Sequence, residues 1–325
     1  MPRDRLTWVH QQLDEQAEVS PLAGDASFRS YHRVVWNQEK YVLMDAPPDK
    51  EDVQPFLKVQ QWLHDIGLRV PQIIAKDIKQ GFLLLEDFGD TTWAVFIQRN
   101  GLKDNLFQDA LRQIHLLQQS QAIPSCPVFD VARMQQECQL YLDWYLPYIE
   151  NQPSNHESTQ AFMDALHPHF EALAALPKVP VHLDYHSRNL MLPQQQVPLG
   201  VIDFQDAVLG IPTYDLASLL YDCYQYYPED IRKHWSQVFY QGLIPAMSQH
   251  FESFEEWHRL LRLSAMQRHF KALGIFARLS YRDGKKQFLT EIPLTLRHLK
   301  EEVHALGLQN PALLIPEPYQ TQDPH

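Results

Sequence analysis

V-H-L-D-Y-H-S-R-N-L-M-L (181–192), P-Q-Q-Q-V-P (193–198) and L-G-V-I-D-F-Q-D-A-V-L-G-I-P-T-Y-D-L-A (199–217) decide how this chain is read. Two short apolar runs, 189–192 and 199–202, flank a polar stretch bounded by prolines. That pattern predicts a β-hairpin with polar residues at its open end. Pairing of the runs would set Asn189 beside Asp203, two oxygen donors on adjacent strand ends. Asp184 falls in the loop that leads into the hairpin.

A loop aspartate, an asparagine further along the same loop and a second aspartate after a hairpin are what metal-assisted phosphoryl transfer needs. One carboxylate takes the proton of the acceptor hydroxyl. The asparagine and the other aspartate offer hard oxygens to Mg²⁺, which bridges the phosphates of the donor. Protein kinases use H-R-D-x-x-x-x-N and D-F-G in this relation. The corresponding pieces here are His182-Leu183-Asp184, Asn189 and Asp203-Phe204-Gln205, with Gln205 in place of the glycine. H-x-D-x-x-x-x-N followed by I-D-F resembles the aminoglycoside phosphotransferase and choline kinase group of small-molecule kinases. Two competing readings remain at this point. His182, Asp184 and His186 have a spacing that three metal ligands of a hydrolase would share, and a single aspartate in apolar surroundings is often only a turn or cap residue.

Composition narrows the field. A chain of 325 residues with 45% hydrophobic residues has enough material for a core and for two lobes. Its net charge of −12 argues against a nucleic-acid or anionic-membrane surface. Cys126, Cys138 and Cys223 form no C-x-x-C pair, which fits buried thiols in a reducing compartment. No stretch has the length and apolarity of a membrane span, and residues 1–8 lack a signal core. A cytoplasmic, monomeric protein is the expectation.

Working outward from the hairpin, residues 5–18 show helical spacing. G-D-A-S-F (24–28) precedes two β-favouring runs, 28–36 and 40–46, joined by 37–39. Small residues before a strand pair let backbone N–H groups approach phosphates, with Ser27 as a further donor. A kinase carries a lysine in the second of these strands, whereas Met44 occupies that place here. Arg29 and Arg33 are the preferred substitutes, with Lys40 as an alternative. Residues 51–66 predict a helix ended by Gly67, and 71–75 and 81–86 predict strands. Beyond them the periodicity is mainly helical, over 106–119, 134–148, 162–176 and 257–279, the last preceded by the capping-box spelling Ser253-x-x-Glu256.

Several further stretches sharpen the resemblance: G-D-A-S-F-R-S-Y (24–31), Y-V-L-M-D-A-P-P (41–48), F-L-L-L-E-D-F-G-D (82–90), T-Y-D-L-A-S-L-L-Y-D-C-Y (213–224) and L-G-I-F-A-R-L-S-Y-R-D-G-K (273–285). Together with the hairpin they are similar to the anomeric sugar kinases of bacterial cell-wall recycling, over nearly the whole chain and including the methionine in place of lysine. The resemblance implies an α+β, two-lobed protein-kinase-like fold. Residues 1–88 would form a small β-rich nucleotide-binding lobe, and 89–325 a larger helical lobe with the catalytic loop and the sugar. It implies ATP as donor, Mg²⁺ as cofactor, and transfer to the C1 hydroxyl of N-acetylmuramate and N-acetylglucosamine in peptidoglycan recycling.

Within that reading, Asp184 is the base and Asn189 and Asp203 hold the metal. The backbone of Glu86, Asp87 and Phe88 would receive adenine. His182 and Asp215 would brace the catalytic loop. His186, Arg188, Gln205 and Tyr224 would reach phosphate or sugar, and Arg278 or Arg282 would meet the carboxylate that N-acetylmuramate carries. Tyr221, Tyr226 and Tyr227 are expected mainly in the core. The alternatives are another phosphotransferase of the same fold, acting on an aminoglycoside, choline, homoserine or fructosamine, or a nucleotide-binding module without activity.

Overall fold

The computed structural model describes residues 4–22, 28–121 and 126–316. By packing, the chain forms two units, one from 1–123 and 187–207 and the other from 124–186 and 208–325.

The first unit holds a five-stranded antiparallel sheet of β1 (Glu18–Pro21), β2 (Ser30–Trp36), β3 (Glu39–Asp45), β4 (Ile73–Asp77) and β5 (Phe82–Glu86), in the order β1-β2-β3-β5-β4. β2 and β3 meet through a two-residue turn in which Asn37 and Gln38 have φ of 48° and 68°. Two successive left-handed residues match the twist of the flanking strands, which is why this turn makes a tight hairpin. Val34, Leu43, Phe82 and Leu84 place the apolar face of the sheet against Trp8 and Val9 of the helix Arg5–Gln12.

That helix is shorter than its spacing suggests. It stops at Leu13, and Glu18–Pro21 becomes an edge strand paired with β2. An edge tolerates Pro21 because its missing N–H faces away from the ladder.

The helix Gln54–Asp65 buries Phe56, Leu57, Val59, Trp62 and Leu63, and Phe56 meets the ring of Phe204 at 4.9 Å. The helices Trp93–Asn100 and Asp104–Gln119 complete the unit. The second of them anchors the hairpin. Asp109 accepts from Leu199 N at 2.7 Å, and Gln113 donates to Leu199 O at 2.9 Å. Gly200 is required by a close approach, since a Cβ there would lie 2.4 Å from the Phe88 ring.

The second unit is helical. Its longest element, Phe254–Tyr281, is capped by Ser253, which accepts from Glu256 N at 3.2 Å. The Glu256 carboxylate reaches Glu252 N instead of closing the box on Ser253. Val131–Leu140 runs through a π-turn, Tyr141–Tyr145, into Leu146–Tyr148, with Tyr141 and Tyr145 stacked 4.9 Å apart. It crosses the long helix at Gly274, where a Cβ would fall 2.3 Å from the Leu140 carbonyl carbon. The helices His156–Ala174, Tyr214–Leu220, Glu229–Gln241 and Ile292–Ala305 surround this pair. A two-stranded ribbon, Val179–Val181 with Val208–Gly210, leads into and out of the functional stretch. Among the described residues no helix is long and apolar enough to cross a membrane, and no disulfide joins Cys126, Cys138 and Cys223.

Candidate active site

The motif-bearing stretch has one part in each unit. In the second unit, Asp184 follows the strand Val179–Val181. Leu183, just before it, has φ +82°, a conformation that costs an ordinary side chain on the order of 1–3 kcal/mol. The compensation is local. Both carboxylate oxygens of the fully buried Asp215 accept backbone N–H groups, from His182 at 2.7 Å and from Leu183 at 3.0 Å. Burial pushes the Asp215 carboxyl up to about 6, although His182 and the two N–H donors oppose that rise. His182 is buried as well. Its Nδ1 accepts from Asp184 N at 3.3 Å, and its ring meets Tyr185 edge-on.

Asp184 itself remains partly open, with 37% of its side chain exposed. Burial raises its carboxyl, but Lys271, His186, Arg268 and His182 more than reverse that and hold it below the ordinary aspartate range. Lys271, from the long helix, lies 4.0 Å from Asp184 Oδ1 and 3.6 Å from Glu137 Oε1. Burial works against the lysine charge, yet Tyr214, Asp184 and Glu137 raise its pKa. Glu137 is held further by Gln267 at 3.0 Å and Arg133 at 3.4 Å. The result is a carboxylate that stays ionised, inside a loop whose backbone is fixed.

Lys271 and Glu137 are absent from the sequence reading. The only sequence signal is a basic stripe, Arg268, Lys271, Arg278 and Arg282, at spacings that share one helix face.

His186 packs edge-on to Tyr224 with centroids 4.9 Å apart, and Tyr224 touches Phe276. Tyr221 and Tyr227 are fully buried, and Tyr226 lies against the Arg297 guanidinium at 4.0 Å. Arg282 pairs with its neighbour Asp283 at 2.7 Å, and Arg278 lines a cavity. Among the described residues no group of three or more His, Cys, Asp or Glu side chains converges as a metal site. The hydrolase reading of His182, Asp184 and His186 therefore lacks its geometry.

In the first unit, Leu190–Met191 pairs with Gly200–Val201, and Ile202 N donates to Asn189 O at 3.1 Å. This pairing sets Asn189 Nδ2 3.4 Å from Asp203 Oδ2. Gln205, expected near substrate, donates to Asp203 Oδ1 at 2.8 Å and steadies that aspartate. Asp203 has φ +62°, a second left-handed residue within the motif-bearing stretch. The donor set is an amide oxygen and a carboxylate, both hard. It fits Mg²⁺, which takes few protein ligands and fills its shell with water and phosphate oxygens. Arg188 is exposed.

Ser27 lies outside the described residues. Arg29 pairs with Glu51 at 3.3 Å, its side chain 12% exposed. Arg33 is gripped by two carboxylates, Asp87 at 2.6 Å and Asp90 at 2.8 Å. Asp87 also accepts from Gly89 N at 2.7 Å. Arg69 holds the Glu86 carboxylate through Nη1 at 2.7 Å and covers the Phe88 ring at 4.7 Å. Met44 is fully buried opposite Leu83.

Residues 18–259 match the phosphotransferase enzyme family. The chain belongs to that family. Among curated proteins, it is 37% identical over 296 residues to an N-acetylmuramate/N-acetylglucosamine kinase of Pseudomonas aeruginosa, covering 88% of this chain and 84% of that one. It is 36% identical to a kinase of the same name from Neisseria meningitidis, covering 87% and 85%. Solved structures agree on the fold. An aminoglycoside phosphotransferase in complex with gentamicin superposes with a TM-score of 0.61 at 16% identity, covering 97% of this chain and 99% of that one. A choline kinase from Cryptosporidium parvum gives 0.63 at 13% identity, covering 94% and 96%. This phosphotransferase is thus an enzyme with the kinase-like fold that the hairpin motifs implied, a β-sheet unit followed by a helical one.

Proposed function

We propose that this phosphotransferase transfers the γ-phosphoryl group of ATP to the anomeric hydroxyl of N-acetylmuramate and N-acetylglucosamine, as a cytoplasmic monomer in peptidoglycan recycling. The observation that carries the reading is the environment of Asp184, a carboxylate kept ionised by Lys271 on a loop locked by Asp215. A base held at low pKa suits an acceptor that gives up its proton readily. An anomeric hydroxyl is more acidic than an ordinary alcohol, so positioning outweighs base strength. The names of the curated relatives support the two sugars. Cations beside the base also weigh against aminoglycosides and choline, which would bring positive charge toward Lys271 and Arg268.

Asp184 orients the C1 hydroxyl and accepts its proton as the oxygen attacks phosphorus. Asn189 and Asp203 are the residues that would hold Mg²⁺, which when bound neutralises charge on the phosphates. Residues 1–88 are assigned to the nucleotide, with adenine at the backbone of Glu86 to Phe88, and 89–325 to the catalytic loop and sugar. Of the two arginines, Arg29 is the better substitute for the missing lysine. Its pairing with Glu51 resembles the lysine–glutamate pair of kinases, whereas two carboxylates already neutralise Arg33.

The test is ³¹P NMR with Mg²⁺-ATP and each sugar, with kanamycin and choline in parallel. A sugar-1-phosphate resonance coupled to the anomeric proton is expected. In Asp184→Asn the rate should fall by about 10²–10⁴-fold, with ATP affinity by calorimetry unchanged. Phosphate on kanamycin or choline alone would overturn the substrate, and an indifferent D184N would leave only a binding module.

A further inference from the structure

We propose that Arg278 is the seat of a carboxylate on the acceptor, and that the cavity beside it receives the acid-bearing substituent of the sugar. The inference rests on the sugar-kinase reading and asks how one site takes an acidic sugar and its neutral counterpart. N-acetylmuramate differs from N-acetylglucosamine by a lactyl ether, so recognition of the acid needs a cation at a distance from the reacting hydroxyl.

The second unit contains a cavity of about 610 Å³ lined by Val128, Arg133, Gln136, Glu137, Leu140 and Arg278, among others. It adjoins the base through two contacts. Glu137, in its wall, is 3.6 Å from Lys271 Nζ, which is 4.0 Å from Asp184 Oδ1. Lys271 and Arg278 are two turns apart on one face of the long helix, a rise of about 10 Å. The cavity therefore reaches from Glu137, the partner of Lys271, to Arg278.

The lining carries two acids and two arginines, and both acids are engaged away from Arg278. Glu137 faces Arg133 and Lys271, and Asp130 caps its own helix by accepting from Arg133 N at 2.9 Å. Arg133 is engaged with Glu137 and lies over the Phe129 ring. Arg278 differs from them. Its Nε is buried and has no hydrogen-bond partner among the described residues. Burial, then the nearby Arg282, disfavours its charge, with Asp283 in partial opposition. An anion at the guanidinium would relieve both and fill the orphaned donor, in the forked geometry that arginine offers a carboxylate. The rest of the guanidinium is not sealed from solvent, so water can hydrate it when the acceptor lacks the acid. Both sugars are then accommodated by one site.

Steady-state kinetics of wild type, R278M and R278K on both sugars, with melting temperatures, test this. In R278M the KM for N-acetylmuramate should rise by about 10- to 100-fold, as expected for a lost charge-assisted hydrogen bond. The KM for N-acetylglucosamine should change by less than about 3-fold on the same scale. R278K should recover part of the loss, because it keeps the charge without the fork. Equal losses on both sugars, or none on either, would overturn the inference. A wild type that takes N-acetylglucosamine alone overturns it too, yet leaves the kinase reading standing. If the wild type takes N-acetylmuramate alone, a raised KM at unchanged melting temperature supports Arg278, and an unchanged KM removes it. Phosphorylation of neither sugar brings down the sugar-kinase reading and this inference with it.

Discussion

His269 and Lys271 are two residues apart on the long helix, so they face nearly opposite ways and enter two very different charged neighbourhoods. On one side, His269 Nδ1 meets Glu302 at 2.6 Å and Nε2 meets the Tyr221 carbonyl at 2.8 Å, with no exposure of either side chain. His298 stacks on it at 5.4 Å and takes a hydrogen bond from Arg232 at 3.0 Å. On the other side, Lys271 stands between Glu137 and a partly exposed Asp184. Both neighbourhoods are built from acids and bases, the first entirely on helices and the second with Asp184 on a loop. In the first, each charge has a partner within the protein and both side chains of the His269–Glu302 pair are sealed from solvent, so it fixes one arrangement of helices. In the second, cations outnumber the open carboxylate, and the carboxylate has room for a substrate. Access and surplus charge, more than residue type, separate structure from chemistry.

The largest effect that would sharpen this contrast is on the closed side. Glu302→Gln leaves a buried imidazolium without its counter-charge and should cost about 3–5 kcal/mol in denaturant unfolding. Burial would lower His269, but Glu302 reverses this and lifts it to about 10. That stability is fully present below the ordinary 6.5 and is lost as pH rises through about 10. Burial, then His269 and Arg232, lowers His298 to about 2, so its contribution is present above 6.5 and lost as pH falls toward 2. The wild type should therefore be most stable near neutrality, and E302Q should lose its alkaline limb. An unchanged alkaline limb would mean that His269 is not the charged partner.

Asp215 comes next, a buried carboxylate that serves the open side. Asp215→Asn can no longer accept two backbone N–H groups through equivalent oxygens, and Leu183 is left at φ +82° with less support. A displaced base of this kind costs on the order of 10²-fold in rate. The check is kcat alongside calorimetric ATP binding, and a variant with full turnover would show that the loop holds itself.

The smallest effect belongs to Lys271→Met. With the ammonium gone, burial still raises Asp184, while His186, Arg268 and His182 remain to oppose it. Activity that needs ionised Asp184 should then fall off at higher pH than in the wild type. The acid limb of kcat/KM against pH reads this shift directly. A limb that stays in place breaks the comparison, since Lys271 would then be as inert toward the base as His269.

What was legible in the sequence was spacing. Asp184, Asn189 and Asp203 stand close together in the chain, and the short apolar runs on either side of 193–198 place the last two side by side. The sheet was legible for the same reason, except β1, whose short proline-containing run carries no alternation to read. Partners far along the chain were not. Arg33 looks like a phosphate ligand until Asp87 and Asp90 close on it from more than fifty residues away. Lys271 looks like one more solvated helix charge until folding brings Glu137 and Asp184 to it. Gln205, read as a substrate contact, also holds Asp203, a partner two residues away that the motif spacing does not reveal. Charges acquire meaning from neighbours that local pattern does not carry.

Gly274 ties the two helices of the open side together. It meets the backbone of Leu140 with no room for a further carbon, and one turn earlier on each helix stand Lys271 and Glu137. A missing methyl group thus works as a gauge block. It sets the clearance between helices, and with it how near the ammonium comes to Glu137. A single carbon added there would part the ammonium from Glu137 while leaving every charge in the protein intact.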